Sequence, residues 1–372
     1  MIAGAFLLIF LVLYVVAIRV ITRAWLNIPV MPQTDNQRPV SVLVVYRNEE
    51  SSLPDLLQSL QKQKVSPNNF EFIFVNDHSS DNSVKCIEDW IPQCSFEAKN
   101  IHLIDEEYGK KTGIEKGVEA ARYDLILMCD ADCIMGPLWV ESMTNHGSSD
   151  FVSGPVAFKS KRSVWNAFLQ LDFMSLIVLG AALIQRKTPV LANGANMMFS
   201  KSIFIEIEGY TSNKKLASGD DIFLLDEIAQ RSNRISFVKN QEAIVRTNAP
   251  ENLKEFVHQR IRWAKKTKHS TRTIQNGIIQ VLTVFYLAYI IAIPLAYMLK
   301  STFSWFVILF VVIAKTCTDA WFFSKVVPFF NRKPLLQYLV FIQLLHPIYI
   351  ATIAVFGVFR SYTWKERVIK NG

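Results

Sequence analysis

The amino terminus is a continuous apolar stretch. Residues 1–18, MIAGAFLLIFLVLYVVAI, carry no charged side chain. At 1.5 Å per residue, a helix of this length can cross a bilayer core roughly 30 Å thick. A cleaved signal peptide fits less well, because no basic region precedes the apolar run. We therefore expect a transmembrane helix at the start of the chain.

Apolar stretches return in the last third of the chain. Residues 277–299 and 335–359 are each long enough to span a membrane. Residues 302–323 would form another span if Lys315 and Asp319 did not interrupt them. These two residues stand four positions apart and share one helix face. They either neutralise each other within the membrane or lie near the path of a substrate.

The charge distribution predicts an orientation. Lys and Arg number 40 against 32 Asp and Glu, a net charge of +8. Arg19 and Arg23 directly follow the first apolar stretch, and basic residues accumulate on the cytoplasmic side of membrane spans. The polar insert, residues 31–276, is thus expected in the cytoplasm, within an integral protein of the plasma or inner membrane. We expect no nucleic-acid partner.

Short apolar strands alternate with helical patterns in the insert. The predicted strands are VSVLVVY (40–46), FEFIFVND (70–77) and YDLILMCD (123–130), and helical patterns cover 49–62, a segment from Asp81, and 111–122. Near-continuous apolar strands are typical of a parallel sheet covered on both faces. We therefore predict an α/β, Rossmann-like domain inserted between transmembrane helices. Ligands of such folds bind beyond the carboxyl ends of the strands, where Asp77 and Asp130 stand.

Two carboxylates, Asp130 and Asp132, follow the third predicted strand in the sequence MCDADC. A bend there would let both address one Mg²⁺ or Mn²⁺, which takes one or two protein carboxylates and completes its shell with phosphates and water. If the D-x-D stood alone, an Asx turn with one Asp capping the next helix would be the favoured interpretation. Cys129 and Cys133 flank the pair, but no second Cys or His pair lies nearby, so we expect packing residues rather than zinc ligands.

Six stretches occur along the chain in the order SVLVVYRNEE, FVNDHSSDNS, GKKTGIEKG, MCDADC, SGDDIFLLDE and QRIRW. They cover roughly residues 38–270, and QRIRW, a match to Q-x-x-R-W, is the most discriminating of them. The series resembles that of membrane-embedded family 2 glycosyltransferases, which include cellulose, hyaluronan and poly-N-acetylglucosamine synthases and ceramide glucosyltransferase. The resemblance implies a GT-A fold, a Rossmann-like domain that binds a nucleotide sugar.

The resemblance also implies roles for residues that bind the donor. Asp77 would contact the base of the nucleotide, with Tyr46 and Glu49 nearby. Lys110 would approach the diphosphate. Asp130 would lie near the ribose and the donor sugar, and would share the metal ion with Asp132.

Further roles concern transfer to the acceptor. By resemblance, Asp221 is the catalytic base and Asp220 a supporting acid, and the three residues of the Q-x-x-R-W motif close the site. Gln259 and Arg262 would hold the donor, and Trp263 would stack on the acceptor sugar. Arg262 suits a diphosphate because its planar guanidinium matches phosphate geometry. The predicted outcome is direct displacement with inversion at the anomeric carbon.

Several of these segments have structural alternatives. Asp220 and Asp221 begin an apolar-periodic segment, where acidic residues commonly complement a helix dipole. The segment EFVHQRIRWAKKTKH is also typical of a basic amphipathic helix on a membrane surface. We expect this helix both to lie on the membrane surface and to close the site. Segment 164–184 is expected to be interfacial rather than spanning, because Asp172 interrupts it. The loop 191–201, LANGANMMFSK, resembles the acceptor side of the family.

Some positions depart from the family pattern. Val45 replaces a proline, Asn76 an acidic residue, His78 a glycine and Asp220 a glutamate. The D-x-D and the base position are intact. These departures therefore bear on the identity of the nucleotide and sugar rather than on the class of reaction.

The expected protein is a metal-dependent inverting glycosyltransferase that moves a sugar, from a UDP-hexose by resemblance, to a membrane-associated lipid. A small processive polysaccharide synthase that extends a growing glycan is the alternative, and a non-catalytic membrane subunit is an alternative of another class. The sequence does not specify an oligomer or partner subunit. The predicted segments are a transmembrane helix (1–23), a cytoplasmic catalytic domain (38–250), an interfacial helix (251–276), a membrane region of two or three spans (277–359) and a basic tail (360–372).

Overall fold

The structure is a computed structural model with two compact units. It describes residues 2–30, 38–146, 148–211, 219–268, 276–299, 302–343, 346, 349, 362–364 and 367–369. The sheet unit comprises Ile28–Lys159 and Leu183–Ala249. The helical unit comprises Met1–Asn27, Ser160–Ala182 and Pro250–Asn371.

The sheet unit is built on a seven-stranded sheet. Its strands are β1 (Val40–Tyr46), β2 (Phe70–Asn76), β3 (Glu97–His102), β4 (Leu125–Met128), β5 (Phe151–Ser153), β7 (Met197–Ser200) and β8 (Ile235–Phe237), in the spatial order β3-β2-β1-β4-β7-β5-β8. A separate parallel pair joins β6 (Val156–Phe158) to β9 (Val245–Thr247). The three predicted strands and the α/β fold class are confirmed.

The sheet is mixed rather than fully parallel. β1 runs parallel to β2 and to β4, and β2 runs parallel to β3. β7 lies antiparallel between β4 and β5. The parallel half carries the long apolar strands, because a strand covered on both faces must be apolar on both.

Helices flank these strands in the sheet unit. They are α2 (Leu53–Gln61), α3 (Ser83–Trp90), α4 (Lys110–Ala120), α5 (Trp139–Thr144), α7 (Lys201–Glu206) and α8 (Asp220–Arg231). Residues of α4, α7 and α8 pack with the sheet in one buried cluster that includes Leu43, Ile114, Phe199 and Leu225. The three predicted helical patterns correspond to α2, α3 and α4.

Two glycines let α4 approach β1 closely. A Cβ at Gly113 would lie 2.6 Å from a methyl carbon of Val45, and one at Gly117 would lie 2.2 Å from a methyl carbon of Leu43. Real Cβ atoms do not come this close, so any larger residue would push the helix away from the sheet. This contact fixes the first residue of α4, Lys110, relative to the sheet.

The helical unit contains α1 (Ile2–Leu26), most of α6 (Val164–Gln185), α9 (Leu253–Lys268), α10 (Gly277–Leu299) and α11 (Thr302–Val326). A short helical turn (Lys333–Tyr338) follows, and β10 (Tyr362–Trp364) pairs with β11 (Arg367–Ile369). Of the predicted span at 335–359, the structure describes residues 335–343, His346 and Tyr349, and the other residues lie outside the described part of the chain. The count of C-terminal spans therefore stays a prediction.

Four described helices are long and apolar enough to cross a membrane. They cover Phe6–Leu26, Val164–Gln185, Gly277–Met298 and Thr302–Val326. The candidate at Val164–Gln185 is longer than expected, because the sequence pattern predicted that Asp172 would leave only a short apolar run. α6 continues through Asp172, whose carboxylate forms a buried ion pair with Arg260.

A buried polar cluster explains how α11 accommodates two ionisable residues. The Lys315 ammonium lies 2.7 Å from Asp319 Oδ2, and the Tyr14 hydroxyl donates to Asp319 Oδ1 at 2.6 Å. Gln343 donates to Asp319 Oδ2 at 2.7 Å and accepts from Lys315. The two charges therefore neutralise each other among further hydrogen-bond partners, which favours the first of the two interpretations.

Removing one member of this pair should be worse than removing both. Lys315→Leu or Asp319→Leu alone leaves a buried charge uncompensated, at a cost of about 3–5 kcal/mol. The double variant leaves none. Melting temperature and yield in detergent should therefore fall sharply in each single variant and recover largely in the double variant. Lys325→Leu, at an exposed position of the same helix, serves as the control, and additive losses in the double variant would contradict the interpretation.

Candidate active site

Polar residues gather at the carboxyl ends of β1, β2 and β4. The parallel register pairs Tyr46 with Asn76 across β1 and β2, so Asp77 follows directly at that edge. Its backbone N–H donates to the Tyr46 carbonyl at 2.9 Å. Asp130 lies just after β4, which ends at Met128. The strand ends thus lie on one edge of the sheet, as the parallel pattern predicts.

Lys110 connects two of the predicted acidic residues. Its ammonium lies 2.7 Å from Asp130 Oδ1 and 2.8 Å from Asp220 Oδ2. Burial lowers the pKa of Lys110, but the charges of the two carboxylates outweigh it and raise that pKa above its ordinary value. Lys110 is therefore a positive charge at neutral pH, held between the D-x-D and the first residue of α8.

Asp132 is oriented by a distant strand. The Thr247 hydroxyl, on β9, donates to Asp132 Oδ2 at 2.7 Å. Burial raises the pKa of Asp132, and the negative charge of Asp130 raises it further. A cation beside the pair would relieve this repulsion.

The donor set fits a hard divalent ion. Two carboxylates supply oxygen ligands, which suit Mg²⁺ or Mn²⁺. Within the described ranges, no group of three or more His, Cys, Asp or Glu side chains is placed to hold a metal ion. Substrate oxygens and water would have to complete the shell, as is usual for Mg²⁺ with phosphates. Cys129 and Cys133 are buried free thiols, in agreement with a packing role.

The loop before β7 contacts the acidic pair of α8. The Gly194 N–H donates to Asp221 Oδ2 at 3.3 Å. The Tyr210 hydroxyl donates to the backbone carbonyl of Asp220 at 3.1 Å. The environments of the two acids therefore differ, because Asp220 faces the Lys110 ammonium while Asp221 accepts from a neutral backbone group.

Adding one methyl group at Gly194 should disturb this arrangement. A Cβ there would lie 2.9 Å from Asp220 Oδ2 and 3.2 Å from Lys110 Nζ. Gly194→Ala should therefore displace these groups and lower turnover by up to about 10²-fold, the cost of a misplacement near 1 Å. Turnover and melting temperature are measured together. Gly136→Ala is the matched control, because its Cβ would meet Glu242 Oε2 at 3.7 Å, an ordinary contact; equal turnover in the two variants would contradict the prediction.

The region around Asp77 holds the other predicted donor residues. Asp77 is buried, His78 Nδ1 lies 3.2 Å from its carboxylate, and the Arg47 guanidinium donates to its carbonyl at 3.0 Å. His78 has φ of 56°, which explains why a glycine suits this position in the family. Glu49 is partly exposed, and its backbone N–H donates to the Ser83 hydroxyl at 2.7 Å.

The Tyr46 side chain is less exposed than expected for a residue that contacts a nucleotide. It is only 1% exposed, and its hydroxyl donates to Asn100 Oδ1 at 3.0 Å. Burial raises the pKa of Tyr46 to about 12, so its hydroxyl stays protonated. In this structure Tyr46 packs within the sheet edge, and its contact with a nucleotide stays a prediction.

Three predicted site residues lie in the helical unit. Gln259, Arg262 and Trp263 are on α9, and each is partly exposed. Their participation in the site stays a prediction. Sequence reasoning missed Thr247, Gly194 and Arg47. Gly194 and Arg47 lie in stretches that resemble the family, the loop 191–201 and SVLVVYRNEE, whereas Thr247 lies in none of them.

Comparison with known proteins identifies the family of the chain. The chain matches Glycosyl transferase family 2 over residues 41–207 and Glycosyl transferase family group 2 over residues 125–324, more than half of its length. It is 25% identical over 241 residues to the poly-beta-1,6-N-acetyl-D-glucosamine synthase of Staphylococcus aureus (strain COL), covering 62% of this chain and 55% of that protein. The chain thus spans about half the length of this curated relative.

Two further proteins are similar to parts or all of the chain. The undecaprenyl-phosphate 4-deoxy-4-formamido-L-arabinose transferase of Proteus mirabilis (strain HI4320) is 37% identical over 101 residues, 25% of this chain and 28% of that protein. The mannosyltransferase PcManGT from Pyrobaculum calidifontis, solved in complex with GDP-Man and Mn²⁺, superposes with a TM-score of 0.60 at 17% identity, covering 96% of this chain and 99% of that one. This likeness supports a GT-A fold. By its sequence match, the chain belongs to glycosyl transferase family group 2.

Proposed function

We propose that the protein is an inverting glycosyltransferase that moves a sugar from a nucleotide-diphosphate sugar to a lipid acceptor in the membrane. The observation that carries the proposal is the position of Lys110, whose ammonium contacts both Asp130 of the D-x-D and Asp220 at the start of α8. Lys110 thus links two elements. The D-x-D is assigned to donor binding by resemblance to the family, and the start of α8 is assigned to the catalytic base.

Departure of the nucleoside diphosphate builds negative charge on the leaving oxygens. Lys110 would stabilise that charge, and it does so most in the transition state, where the charge is largest. Asp130 and Asp132 would hold a Mg²⁺ or Mn²⁺ ion, which supplies further charge stabilisation when bound. Arg262 would add a guanidinium to the same diphosphate.

The acceptor hydroxyl loses a proton as it attacks the anomeric carbon. By resemblance to the family, Asp221 would accept this proton. Asp220 would instead keep Lys110 in place. Asp77 and Glu49 would hold the nucleoside, and the indole of Trp263 would stack on the acceptor.

A lipid acceptor is supported by the candidate membrane spans, four of which lie in the described residues, and by one of the similar proteins. The undecaprenyl-phosphate transferase of Proteus mirabilis acts, by its name, on a lipid phosphate. The relative from Staphylococcus aureus is, by its name, a polysaccharide synthase, and it supports processive extension of a glycan as the second candidate.

A donor panel tests the proposal. The purified protein in lipid vesicles is incubated with UDP- and GDP-sugars, and the lipid and polymer fractions are analysed by mass spectrometry. A single mass increment on a lipid is the expected result. A ladder of products would favour the processive alternative, and an absence of sugar transfer from every donor would contradict both.

A cytoplasmic catalytic domain is also part of the proposal. Arg19 and Arg23 support it through the bias of basic residues toward the cytoplasm. Ser80 is exposed, so Ser80→Cys, in a background with Cys86, Cys94 and Cys317 changed to serine, should resist membrane-impermeant thiol reagents in intact cells. Permeabilised cells are the control and should show labelling. Labelling of intact cells would overturn the orientation.

A further inference from the structure

A buried ion pair joins α6 to α9 in the helical unit. Arg260 Nη2 contacts Asp172 Oδ2, and the two side chains are 3% and 4% exposed. His346 Nε2 lies 3.8 Å from the other carboxylate oxygen. A buried ion pair is seldom the most stable solution, because desolvation offsets the attraction between the charges. Its presence therefore calls for a reason other than stability.

The hydrogen bonding of Arg260 is incomplete. Within the part of the chain that the structure describes, neither Nε nor Nη1 of Arg260 has a hydrogen-bond partner, although both are buried. A guanidinium placed to maximise stability would satisfy these donors. The faces of the Arg260 guanidinium lie instead against aromatic rings. The guanidinium carbon lies 4.2 Å from the ring centroid of Trp263 and 4.9 Å from that of Phe256.

Trp263 is held from a second direction by the neighbour of Asp172. The ring centroids of Trp263 and Phe173 lie 5.8 Å apart. Arg260 precedes Trp263 by three positions on α9, so the two side chains share one helix face. The ion pair thus fixes the plane of the guanidinium that lies against the indole, and α6 supplies the aromatic ring beside it.

We propose that Asp172 and Arg260 are positioning residues that orient the indole of Trp263 for binding of the acceptor. Asp172 holds the guanidinium, and the guanidinium holds the indole through a cation–π contact. The inference rests on the proposed function, because it takes Trp263 as the acceptor-binding residue. Arg260 is one of the variable positions of Q-x-x-R-W, so the motif itself assigns it no role.

The test separates positioning from stability with a double-mutant cycle. Asp172→Leu or Arg260→Met alone should lower the melting temperature, because each leaves a buried charge unpaired. Asp172→Leu combined with Arg260→Met removes both charges and should restore the melting temperature. The double variant should nevertheless keep an acceptor KM about 10- to 100-fold above that of the wild type, since the indole is no longer oriented. Its KM for the donor should stay unchanged.

Two control variants accompany the double-mutant cycle. Arg260→Lys keeps the charge but loses the planar group, so it should raise the acceptor KM less than the double variant does. Lys254→Met alters an exposed residue at the start of α9 and should leave the melting temperature and both KM values unchanged. A double variant with wild-type KM values would show that the ion pair is structural only and overturn the inference.

A second readout does not depend on sugar transfer. The chain has 8 tryptophans, and ¹⁹F NMR of the protein labelled with 5-fluorotryptophan resolves Trp263 by comparison with Trp263→Phe. We expect one narrow Trp263 resonance in the wild type and a broadened or divided one in the double variant. An unchanged resonance would overturn the inference. If no donor supports transfer by the wild type, the proposed function fails, while this resonance still decides whether the ion pair orients the indole.

Discussion

Asp132→Ala is expected to abolish sugar transfer while the protein stays folded. The substitution removes one of the two carboxylates that would hold the divalent ion, and loss of one preorganised electrostatic contact typically costs about 10²- to 10³-fold in turnover. Removal of the ion with excess chelator should have the same effect. Transfer is measured with and without added Mg²⁺ or Mn²⁺, and folding is followed by melting temperature.

The control for this substitution is another acidic residue of the sheet unit. Asp105 is exposed, in the segment between β3 and α4, and Asp105→Ala should leave transfer and its metal dependence unchanged. Full activity of the wild type in excess chelator would contradict the metal role. So would normal turnover in Asp132→Ala.

Asp221→Asn should lower transfer by about 10²- to 10⁴-fold, the usual contribution of a general base. Asparagine keeps the size of the side chain but does not accept the proton of the acceptor hydroxyl. Donor affinity should change little, because Lys110 and the D-x-D remain. Transfer is measured by product formation and donor affinity by calorimetry.

Asp220→Asn is the comparison variant, because the structure gives this acid a different neighbour. Its carboxylate contacts the Lys110 ammonium at 2.8 Å. Its loss should weaken donor binding through Lys110, with a smaller effect on transfer once the donor is saturating. If Asp220→Asn abolishes transfer while Asp221→Asn does not, the base is assigned to the wrong residue. Equal loss of donor binding in both variants would indicate a structural pair.

β1 and β2 in the parallel half of the sheet could be predicted because these two strands are long and apolar on both faces. β1 and β2 each have seven residues, so their patterns are visible in the sequence. β5 and β6 have three residues each, too few to show a period. β7, the antiparallel neighbour of β4 and β5, has four residues. The mixed character of the sheet could therefore not be predicted, because it depends on short strands that tertiary contacts stabilise.

Helix boundaries were less predictable than helix positions. The apolar pattern predicted a helix over residues 49–62, whereas α2 spans Leu53–Gln61. Pro54 stands in its first turn, where the missing N–H costs nothing, and this proline marks the start more accurately than the apolar period does. The pattern alone extends into the turn that Glu49 forms with Ser52 and Leu53.

Contacts between distant positions were the part that the sequence did not reveal. Thr247 orients Asp132 from 115 positions away, and no local pattern announces such a contact. Asp172 looked like an interruption of an apolar helix, because its partner Arg260 stands 88 positions later. Local patterns indicate which residues are unusual for their segment, but tertiary structure decides what neutralises or orients them.

The most direct test of inverting transfer with Asp221 as the base compares wild-type protein with Asp221→Asn in the same lipid vesicles. The donor is the one selected by the panel, and the glycolipid is quantified by mass spectrometry and its anomeric configuration determined by NMR. We expect one sugar per lipid with inverted configuration in the wild type, and loss of that product in Asp221→Asn with donor binding retained. A product that keeps the configuration of the donor, or equal product from both proteins, would contradict it.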